Sequence, residues 1–331
     1  MQAKRIKSKF IGALLGAFVG DALGMPVEGY SAAMISQRYG VLNEMVFGRY
    51  TDDTQMMIGI AESLVHCKGF NGEDMAQRFV SNFDLTRGYG PGAMMAIDKL
   101  RAGYSWDKAG GTTFENGSYG NGSAMRIAPV GVFYHDNPKQ LRKVAYLSSM
   151  ITHAHPLGKE GGALQAYAIA CALETRSLRE NGFLQSIKAF LRDDIDIYHE
   201  KIDQIQRLLE TDQKPSEVVN TLGNGITCFD SIPAAIYSFL SHHESFESAV
   251  VYAVNLGGDA DTIGAMTGAI SGAYHGYEEI PDRWIEKLEN GVKGRDYVIS
   301  LAEQLYETKR LLKPCEIEIQ SNYDSKHSAF I

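Results

Sequence analysis

The stretch LGGDADTIGAMTGAISGAYHG, residues 256–276, carries an aspartate cluster and then a glycine at every fourth position of a helical pattern. Each interior glycine costs a helix about 1 kcal/mol relative to alanine, so a packing contact must offset that cost. A second glycine ridge of the same spacing lies near the N-terminus and consists of Gly12, Gly16, Gly20 and Gly24. Because a smooth ridge lets another backbone approach closely, both helices are predicted to lie deep in the centre of the fold, where they can pack against each other.

The rest of the chain is helical in pattern as well. Apolar residues recur at three- and four-residue spacing in several long segments, whereas no series of alternating strands is found. These segments are 53–67, 139–151, 157–173, 202–209 and 284–312. There is no βαβ alternation and no linker-like composition. The sequence therefore predicts an all-α fold, with many helices around one core, in a single compact domain over residues 1–315 and a C-terminal tail over residues 316–331.

Composition and charge limit the class of partner. The 331 residues include 32 basic and 40 acidic side chains, for a net charge of −8, and they form no basic stripe. A nucleic-acid backbone is therefore not expected as the main partner, and a small or protein-attached substrate fits better. The four cysteines are scattered without CxxC spacing. That pattern is typical of a reducing compartment, so the expected location is the cytoplasm.

The N-terminus superficially resembles a secretory signal, because residues 1–10 are rich in Lys and Arg and precede the apolar run 11–19. Asp21 and the helical pattern that continues past it argue against this interpretation. Elsewhere in the sequence no run of eighteen apolar residues occurs, so no membrane span is expected.

Two aspartate clusters stand where long helical patterns begin: TDDT, residues 51–54, and DADT, residues 259–262. Four carboxylates brought together repel one another unless cations or protons offset their charge. Carboxylate and hydroxyl oxygens suit magnesium or manganese better than zinc. Each cluster alone is better explained as a helix cap, since Asp and Thr are common N-caps. An EF-hand calcium loop is excluded for the second cluster, because Ile263 and Ile270 fall at ligand positions.

A glycine-rich segment, NGSYGNGSAMR at residues 116–126, precedes another helical pattern. Convergent backbone N–H groups and a helix N-terminus suit phosphate binding, although a plain turn has the same composition. The segment lacks the Gly-Lys-Ser/Thr ending of a Walker A loop and the glycine spacing of a Rossmann fold. Glu28, in the loop after the first glycine ridge, is either solvated or catalytic. His153 and His155 are either structural or hydrogen-bonded to a substrate.

Taken together, five segments resemble the ADP-ribosylglycohydrolase family, which includes the dinitrogenase-reductase-activating glycohydrolases and the ADP-ribosyl-acceptor hydrolases. They occur in the family's order, and the resemblance extends over most of the chain, from residue 11 to about residue 276. The segments are GAFVGDALGMPVE (16–28), YTDDTQ (50–55), GSYGNGSAMR (117–126), THAHPLG (152–158) and LGGDADTIGAMTGAISGAYHG (256–276).

The resemblance implies a compact all-α domain with a binuclear magnesium or manganese centre at the base of a cleft. The residues that match the family's metal ligands are Thr51, Asp52, Asp53, Asp259, Asp261 and Thr262. Two divalent cations, Mg²⁺ or Mn²⁺, are accordingly expected as cofactors. Asp52 and Asp261 are also expected to be essential for catalysis.

The same resemblance implies the substrate contacts and the reaction. The family's glycine loop grips the diphosphate of ADP-ribose, and here it corresponds to Gly117, Ser118, Tyr119, Gly120 and Asn121. Phe114 and Tyr119 are the candidates for stacking near adenine, and His153 matches a ligand-contacting histidine. The implied reaction cleaves the C1″ glycosidic bond of an ADP-ribosylated protein or a small ADP-ribose conjugate and releases ADP-ribose. Glu28 corresponds to a loop glutamate proposed to assist proton transfer.

Two other classes of protein remain open from the sequence. His135-Asp136 prompts a metal phosphohydrolase of the His-Asp type, although the pair lies just before Asn137-Pro138 and resembles a helix end. A non-catalytic ADP-ribose-binding relative is the second. The acceptor in the scissile linkage is not specified by the sequence, and neither is the choice between Mg²⁺ and Mn²⁺. A monomer is the expected oligomeric state.

Overall fold

A computed structural model describes residues 2–211 and 213–312. Within these ranges the chain forms 17 α-helices, two isolated β-bridges and no β-strand. The helices are α1 Gln2–Gly24, α2 Ala32–Tyr39, α3 Asp52–Cys67, α4 Gly72–Asn82, α5 Pro91–Arg101, α6 Trp106–Ala109, α7 Ala128–Phe133, α8 Pro138–Met150, α9 Pro156–Glu174, α10 Glu180–Phe190, α11 Asp196–Leu209, α12 Pro215–Leu222, α13 Cys228–Ser241, α14 Phe246–Asn255, α15 Ala260–His275, α16 Asp282–Ile285 and α17 Arg295–Leu311. The predicted all-α fold is therefore confirmed. The predicted tail, residues 316–331, lies outside the described residues.

The two glycine ridges pack against each other, and they do so antiparallel. A Cβ atom at Gly24 of α1 would lie 2.5 Å from the Ala260 carbonyl oxygen, and one at Gly264 of α15 would lie 2.6 Å from the Gly20 carbonyl oxygen. The same close approach continues along the seam, where Gly16 faces Gly268 and Gly12 faces Gly272. A Cβ atom at any of these positions would collide with the backbone of the facing helix, so only glycine fits. The close contact between the two backbones offsets the low helix propensity of glycine. We call this contact the glycine seam.

The seam lies inside the protein. Ala3–Val27 is the one described segment long and apolar enough to cross a membrane by length and composition, and 89% of its apolar window is buried. Phe10, Leu14 and Phe18 on this helix are almost completely buried among core side chains. The apolar surface of α1 is therefore used in packing against the other helices.

One predicted helix is wrong in its extent. The pattern over residues 284–312 is broken between α16 and α17 by a loop that contains Asn290, Gly291 and Gly294. Asn and Gly disfavour helix interiors. The loop also gains tertiary contacts, because Glu289 accepts a hydrogen bond from the backbone N–H of Tyr50 at 2.9 Å. The other segments form helices close to their predicted ranges, except that α11 begins six residues earlier, at Asp196 rather than at Ile202.

Candidate active site

The first aspartate cluster, residues 51–54, forms the start of α3. Thr51 is the N-cap, and its hydroxyl accepts a hydrogen bond from the Asp53 backbone N–H at 3.4 Å. Both carboxylate oxygens of Asp21, on α1, accept from the Thr51 backbone N–H at 3.0 Å. Asp21 also accepts from the backbone N–H and the hydroxyl of Thr54, at 3.1 and 2.5 Å. The cap interpretation is thus correct for Thr51, and it leaves the carboxylates of Asp52 and Asp53 free of capping bonds.

The second aspartate cluster, residues 259–262, forms the start of α15. Asp259 occupies the N-cap position, yet its carboxylate makes no capping hydrogen bond. Instead, the carboxylate accepts a hydrogen bond from the side-chain amide of Asn121. The Asp261 carboxylate accepts one from the Thr262 backbone N–H at 2.9 Å. A simple cap does not explain this arrangement, because an N-cap side chain normally bonds the second or third amide of its helix.

The glycine seam brings the two clusters together, because the C-terminal end of α1 lies beside the N-terminal end of α15. Oxygen atoms of Glu28, Asp259 and Asp261 lie within 4.8 Å of one another. All four cluster aspartates are at most 9% exposed. Oδ2 of Asp53 is buried and has no hydrogen-bond partner among the described residues. The orphaned buried oxygen and the carboxylates near it are donors that could hold a cation.

Burial and mutual repulsion shift the pKa values of this group. Burial first, and then the nearby charges of Asp21, Glu28 and Asp259, raise the pKa of Asp52 to about 7. Burial, with repulsion from neighbouring carboxylates, also raises the pKa values of Asp53 and Asp261 well above the ordinary range. Without a cation the cluster must therefore take up protons. Because every donor is an oxygen, the residues fit Mg²⁺ or Mn²⁺.

Glu28 lies on a loop whose backbone is tied to the second cluster. The Gly29 backbone N–H donates to the Gly258 carbonyl at 2.8 Å, and the Gly258 N–H donates to the Tyr30 carbonyl at 2.7 Å. The side chain of Glu28 is exposed, unlike those of the aspartates. This places one solvent-accessible carboxylate at the edge of an otherwise buried acidic group.

The glycine-rich loop presents open backbone amides. Asn116 and Gly117 have φ values of 65° and 83°, in the left-handed region. The amides of Gly117 and Gly120 bond within the loop, to the Phe114 carbonyl and the Ser118 hydroxyl. Those of Ser118 and Tyr119 donate no hydrogen bond to any atom of residues 2–211 and 213–312. Two successive free amides in such a turn suit an anion such as phosphate.

Asn121 donates three hydrogen bonds to other residues, and its contact with the diphosphate stays a prediction. Its side-chain amide donates to both Ser231 and Asp259, and its backbone N–H donates to the Ile226 carbonyl at 3.0 Å. These bonds use all of its N–H groups. Asn121 therefore connects the glycine-rich loop to the second cluster, a role that depends on tertiary contacts with residues more than one hundred positions away.

The two aromatic candidates are accessible. Phe114 is 48% exposed and Tyr119 is 47% exposed. The Tyr119 ring lies 5.3 Å from the ring of His155 and 5.9 Å from that of Phe229, measured between centroids. Stacking of either aromatic side chain near adenine stays a prediction, because both keep free surface for such a contact.

His153 is buried beneath the glycine-rich loop. Its Nδ1 atom lies 2.7 Å from the Thr152 hydroxyl, and a Cβ atom at Gly120 would lie 3.4 Å from its Nε2 atom. Burial, with the nearby Arg126 charge, lowers the pKa of His153 to about 3, so the ring is neutral. His155, in contrast, caps α9, because its ring accepts from the Leu157 backbone N–H at 3.1 Å. Neither histidine is grouped with the acidic side chains.

A third loop that the sequence did not single out, residues 223–227, joins the two parts of the site. The Asn224 carbonyl accepts from the Asp259 backbone N–H at 2.8 Å, and the Cys228 N–H donates to the Tyr119 carbonyl at 3.1 Å. The only local signal is the turn-like Gly223-Asn224-Gly225. Asp21 was noted on the first helix but given no role, because its partners lie 30 or more positions away.

The His-Asp pair belongs elsewhere in the molecule. His135 contacts Glu174 at 2.5 Å, and Asp136 accepts a hydrogen bond from the Lys309 ammonium at 2.6 Å. The described acidic group that could hold a metal contains no histidine. A His-Asp phosphohydrolase centre is therefore not formed by these residues.

The fold and the site define a class of protein. The chain belongs to the ADP-ribosylglycohydrolase family, whose family model matches residues 2–314. It is therefore an enzyme of the glycosyl hydrolase class, and the resemblance drawn from the five sequence segments is confirmed.

Individual relatives cover nearly the whole chain. ADP-ribosylhydrolase ARH3 of Bos taurus is 34% identical over 330 residues, which span 87% of this chain and 90% of that protein. A glycohydrolase of Rhodospirillum rubrum that is named for ADP-ribosyl-dinitrogen reductase is 28% identical over 304 residues, spanning 88% and 94%. A solved structure of an ADP-ribosylglycohydrolase-related protein complex superposes with a TM-score of 0.72 at 29% identity, covering 92% of this chain and 99% of that one.

Proposed function

We propose that this enzyme hydrolyses the C1″ glycosidic bond of ADP-ribose conjugates, on an ADP-ribosylated protein or a small derivative, with the help of divalent cations. The hydrogen bond between Asn121 and Asp259 is the observation that carries the proposal. It joins a loop with free amides, suited to a diphosphate, to a buried group of carboxylates, suited to cations. A ligand that has phosphate at one end and a ribose at the other would span both.

The cluster residues Thr51, Asp52, Asp53, Asp259, Asp261 and Thr262 would hold the cations. Support comes from their all-oxygen character, their burial and the orphaned Asp53 oxygen. Bound Mg²⁺ or Mn²⁺ would supply charge that orients the ribose hydroxyls and lowers the pKa of water. The number of cations follows the family resemblance, and two are proposed.

The reaction joins a water oxygen to C1″ while the bond from C1″ to the acceptor breaks, and the acceptor leaves with a proton. Positive charge develops on the sugar ring, and Asp52 and Asp261 would serve the reaction by holding the cations that orient the ribose and the water. Glu28 is positioned to move the proton, because its exposed carboxylate lies beside Asp259 and Asp261 and exchanges protons with solvent.

The remaining site residues would bind the rest of ADP-ribose. The free amides of Ser118 and Tyr119 would donate to the diphosphate, in the turn that Gly117 permits. Phe114 and Tyr119 would contact adenine through their exposed rings. His153 would support the loop from below as a neutral ring that packs against Gly120 and Gly122.

The direct test measures ADP-ribose release from serine-linked, arginine-linked and polymeric substrates. Activity should disappear after exhaustive chelation and return with Mg²⁺ or Mn²⁺. Full activity in chelator would remove the cation from the mechanism. Release of AMP or inorganic phosphate instead of ADP-ribose would point to a phosphohydrolase.

Replacement of Glu28 by glutamine tests the proton-transfer role. Glu28→Gln should release ADP-ribose more slowly, by about 100-fold, because general acid–base catalysis contributes 10²–10⁴-fold. Its affinity for free ADP-ribose, measured by calorimetry, should stay the same. Weaker binding with an unchanged rate of turnover would contradict the assignment.

A further inference from the structure

Asp21 is a completely buried carboxylate with no ion-pair partner among the described residues. It lies on α1 and accepts hydrogen bonds only from uncharged groups, namely the backbone N–H of Thr51 and the backbone N–H and hydroxyl of Thr54. Burying a charge without a cationic partner is costly. Some other feature of the site must therefore account for a carboxylate at position 21.

Capping of α3 is not a sufficient explanation for that charge. Thr51 already caps the helix with its own hydroxyl. A neutral Asn on α1 would still offer one acceptor oxygen to these N–H groups, without repelling other carboxylates. Instead, Asp21 stands close enough to repel Asp52, Asp53 and Asp261. Such repulsion is relieved when a cation is present, so a bound cation would offset the cost of this charge.

The hydrogen bonds of Asp21 flank the two carboxylates of the first cluster. Thr51 precedes Asp52, and Thr54 follows Asp53. Holding both ends of this short segment fixes the backbone from which the two carboxylates project. Groups that orient the ligands of a metal in this way typically change its affinity 10–100-fold when they are removed.

The position of Asp21 also relates the first cluster to the second. The preceding residue, Gly20, is part of the glycine seam, where its carbonyl oxygen faces Gly264 of α15. Gly264 follows Thr262, the last residue of the second cluster, by two positions. One rigid contact between two helices therefore connects the group that orients the first cluster to the backbone that carries the second.

We propose that Asp21 is a positioning residue that aims Asp52 and Asp53 at the shared cation site, so that it determines cation affinity and not affinity for ADP-ribose. The inference rests on the proposed function, since it requires that the cluster bind a divalent cation. Asp21 itself contacts neither the substrate nor the reacting atoms. Its effect reaches the reaction through Thr51 and Thr54.

The test is a titration of chelator-treated full-length protein with Mn²⁺, followed by electron paramagnetic resonance of the free ion. Asp21→Asn keeps the size of the side chain and removes its charge. It should bind Mn²⁺ 10–100-fold more weakly than wild type and require correspondingly more Mn²⁺ for activity. Its affinity for ADP-ribose, measured in saturating Mn²⁺, should stay within about threefold of wild type. The melting temperature in chelator should change little, because the loss of one acceptor oxygen is offset by the loss of one repelling carboxylate.

A purely structural role predicts the opposite pattern for Asp21→Asn, with a lower melting temperature and unchanged Mn²⁺ affinity, and that result would overturn the proposal. Thr54 gives a second pair of variants in case Asp21→Asn does not fold. Thr54→Val removes the hydroxyl bond of 2.5 Å to Asp21 and should weaken Mn²⁺ binding severalfold. Thr54→Ser restores the hydroxyl and should restore the affinity.

The two proposals fail in different ways. A wild-type protein that binds no Mn²⁺ would overturn both the cation site and the role of Asp21. A wild-type protein that binds Mn²⁺, together with Asp21→Asn or Thr54→Val variants that bind it equally well, would overturn the role of Asp21 alone.

Discussion

The two aspartate clusters have similar sequences but are held in place by different chemistry. The first cluster, residues 51–54, is anchored by the charged carboxylate of Asp21. The second cluster, residues 259–262, is anchored by neutral groups, because the Asn224 carbonyl accepts from the Asp259 backbone N–H and the Asn121 amide donates to the Asp259 carboxylate. Both hold buried acidic side chains at the start of a long helix.

Because they are held by different groups, the two clusters are connected to different parts of the site. The contacts of the first cluster with Asp21 lead only to another helix of the core. Those of the second cluster lead directly to the glycine-rich loop. A change at the first cluster should therefore affect the cation alone, whereas a change at the second should affect both the cation and the substrate.

The largest expected effect tests whether both clusters are needed for the reaction. Asp52→Asn and Asp261→Asn should each lower the rate of ADP-ribose release at least about 1,000-fold, because each loses a ligand of the cations that orient the ribose and activate the water. Neither variant should melt earlier than wild type in chelator, since each loses a carboxylate whose pKa is raised by burial. A large loss in only one of the two would show that a single cluster serves the reaction.

The next effect tests whether both clusters depend on the glycine seam. A Cβ atom at Gly268 would overlap the Gly16 carbonyl oxygen, so Gly268→Ala should lower the free energy of unfolding by about 3 kcal/mol. Gly182→Ala is the matched control in an exposed helix, where the nearest atom would be 3.9 Å away. It should stabilise the protein by up to about 1 kcal/mol. Equal urea midpoints for the two variants would contradict the seam.

A pH measurement tests whether His153, beneath the glycine-rich loop that Asn121 joins to the second cluster, stays neutral. Burial and Arg126 lower the pKa of His153 in the folded protein to about 3. The unfolded chain takes up this proton below about pH 6.5, so the free energy of unfolding should fall as the pH drops from 6.5 towards 3. His153→Gln should lack about 2 kcal/mol of the loss between pH 7.5 and pH 5, measured by urea unfolding. Parallel curves for the two proteins would show that the folded ring binds a proton.

The smallest effect addresses the coupling between cation and substrate. Asn121→Ser removes the hydrogen bond to Asp259 and should weaken both Mn²⁺ and ADP-ribose binding about tenfold, measured by calorimetry. Asp21→Asn should weaken only Mn²⁺ binding, so it is the natural comparison. If Asn121→Ser weakened one ligand and not the other, the second cluster would be as isolated from the substrate loop as the first.

Much of this architecture can be predicted from the sequence, because it follows from the regular spacing of residue types. Glycine at every fourth residue of two segments predicts close helix packing, and acidic clusters at helix starts predict a shared site. The seam agrees with the first expectation. The group of oxygens within 4.8 Å contains Glu28, Asp259 and Asp261 but no residue of the first cluster, so the shared site stays a prediction. The assignment of catalytic, substrate and metal roles to particular residues stays a prediction.

Contacts between residues distant in the sequence account for what the sequence did not predict, together with the Asn and Gly residues that end α16 before α17. Asn121 lies in a glycine-rich loop that resembles a phosphate cradle, yet its amide is committed to Ser231 and Asp259. The helix predicted across residues 284–312 is interrupted where Glu289 pairs with Arg87 at 2.5 Å. Local propensity does not register such contacts, because they exist only once separate helices have packed together.

By itself the sequence determined the helical class, the two glycine ridges and the residue types available for a cation site, because these follow from spacing and side-chain chemistry. Only the tertiary structure decided which groups hold each cluster. Burial next to like charges, the register of the seam and the orientation of Asp21 and Asn121 arise from the packing of helices far apart in the chain. Hydrogen bonds and electrostatic repulsion act over a few ångströms, whatever the separation in sequence.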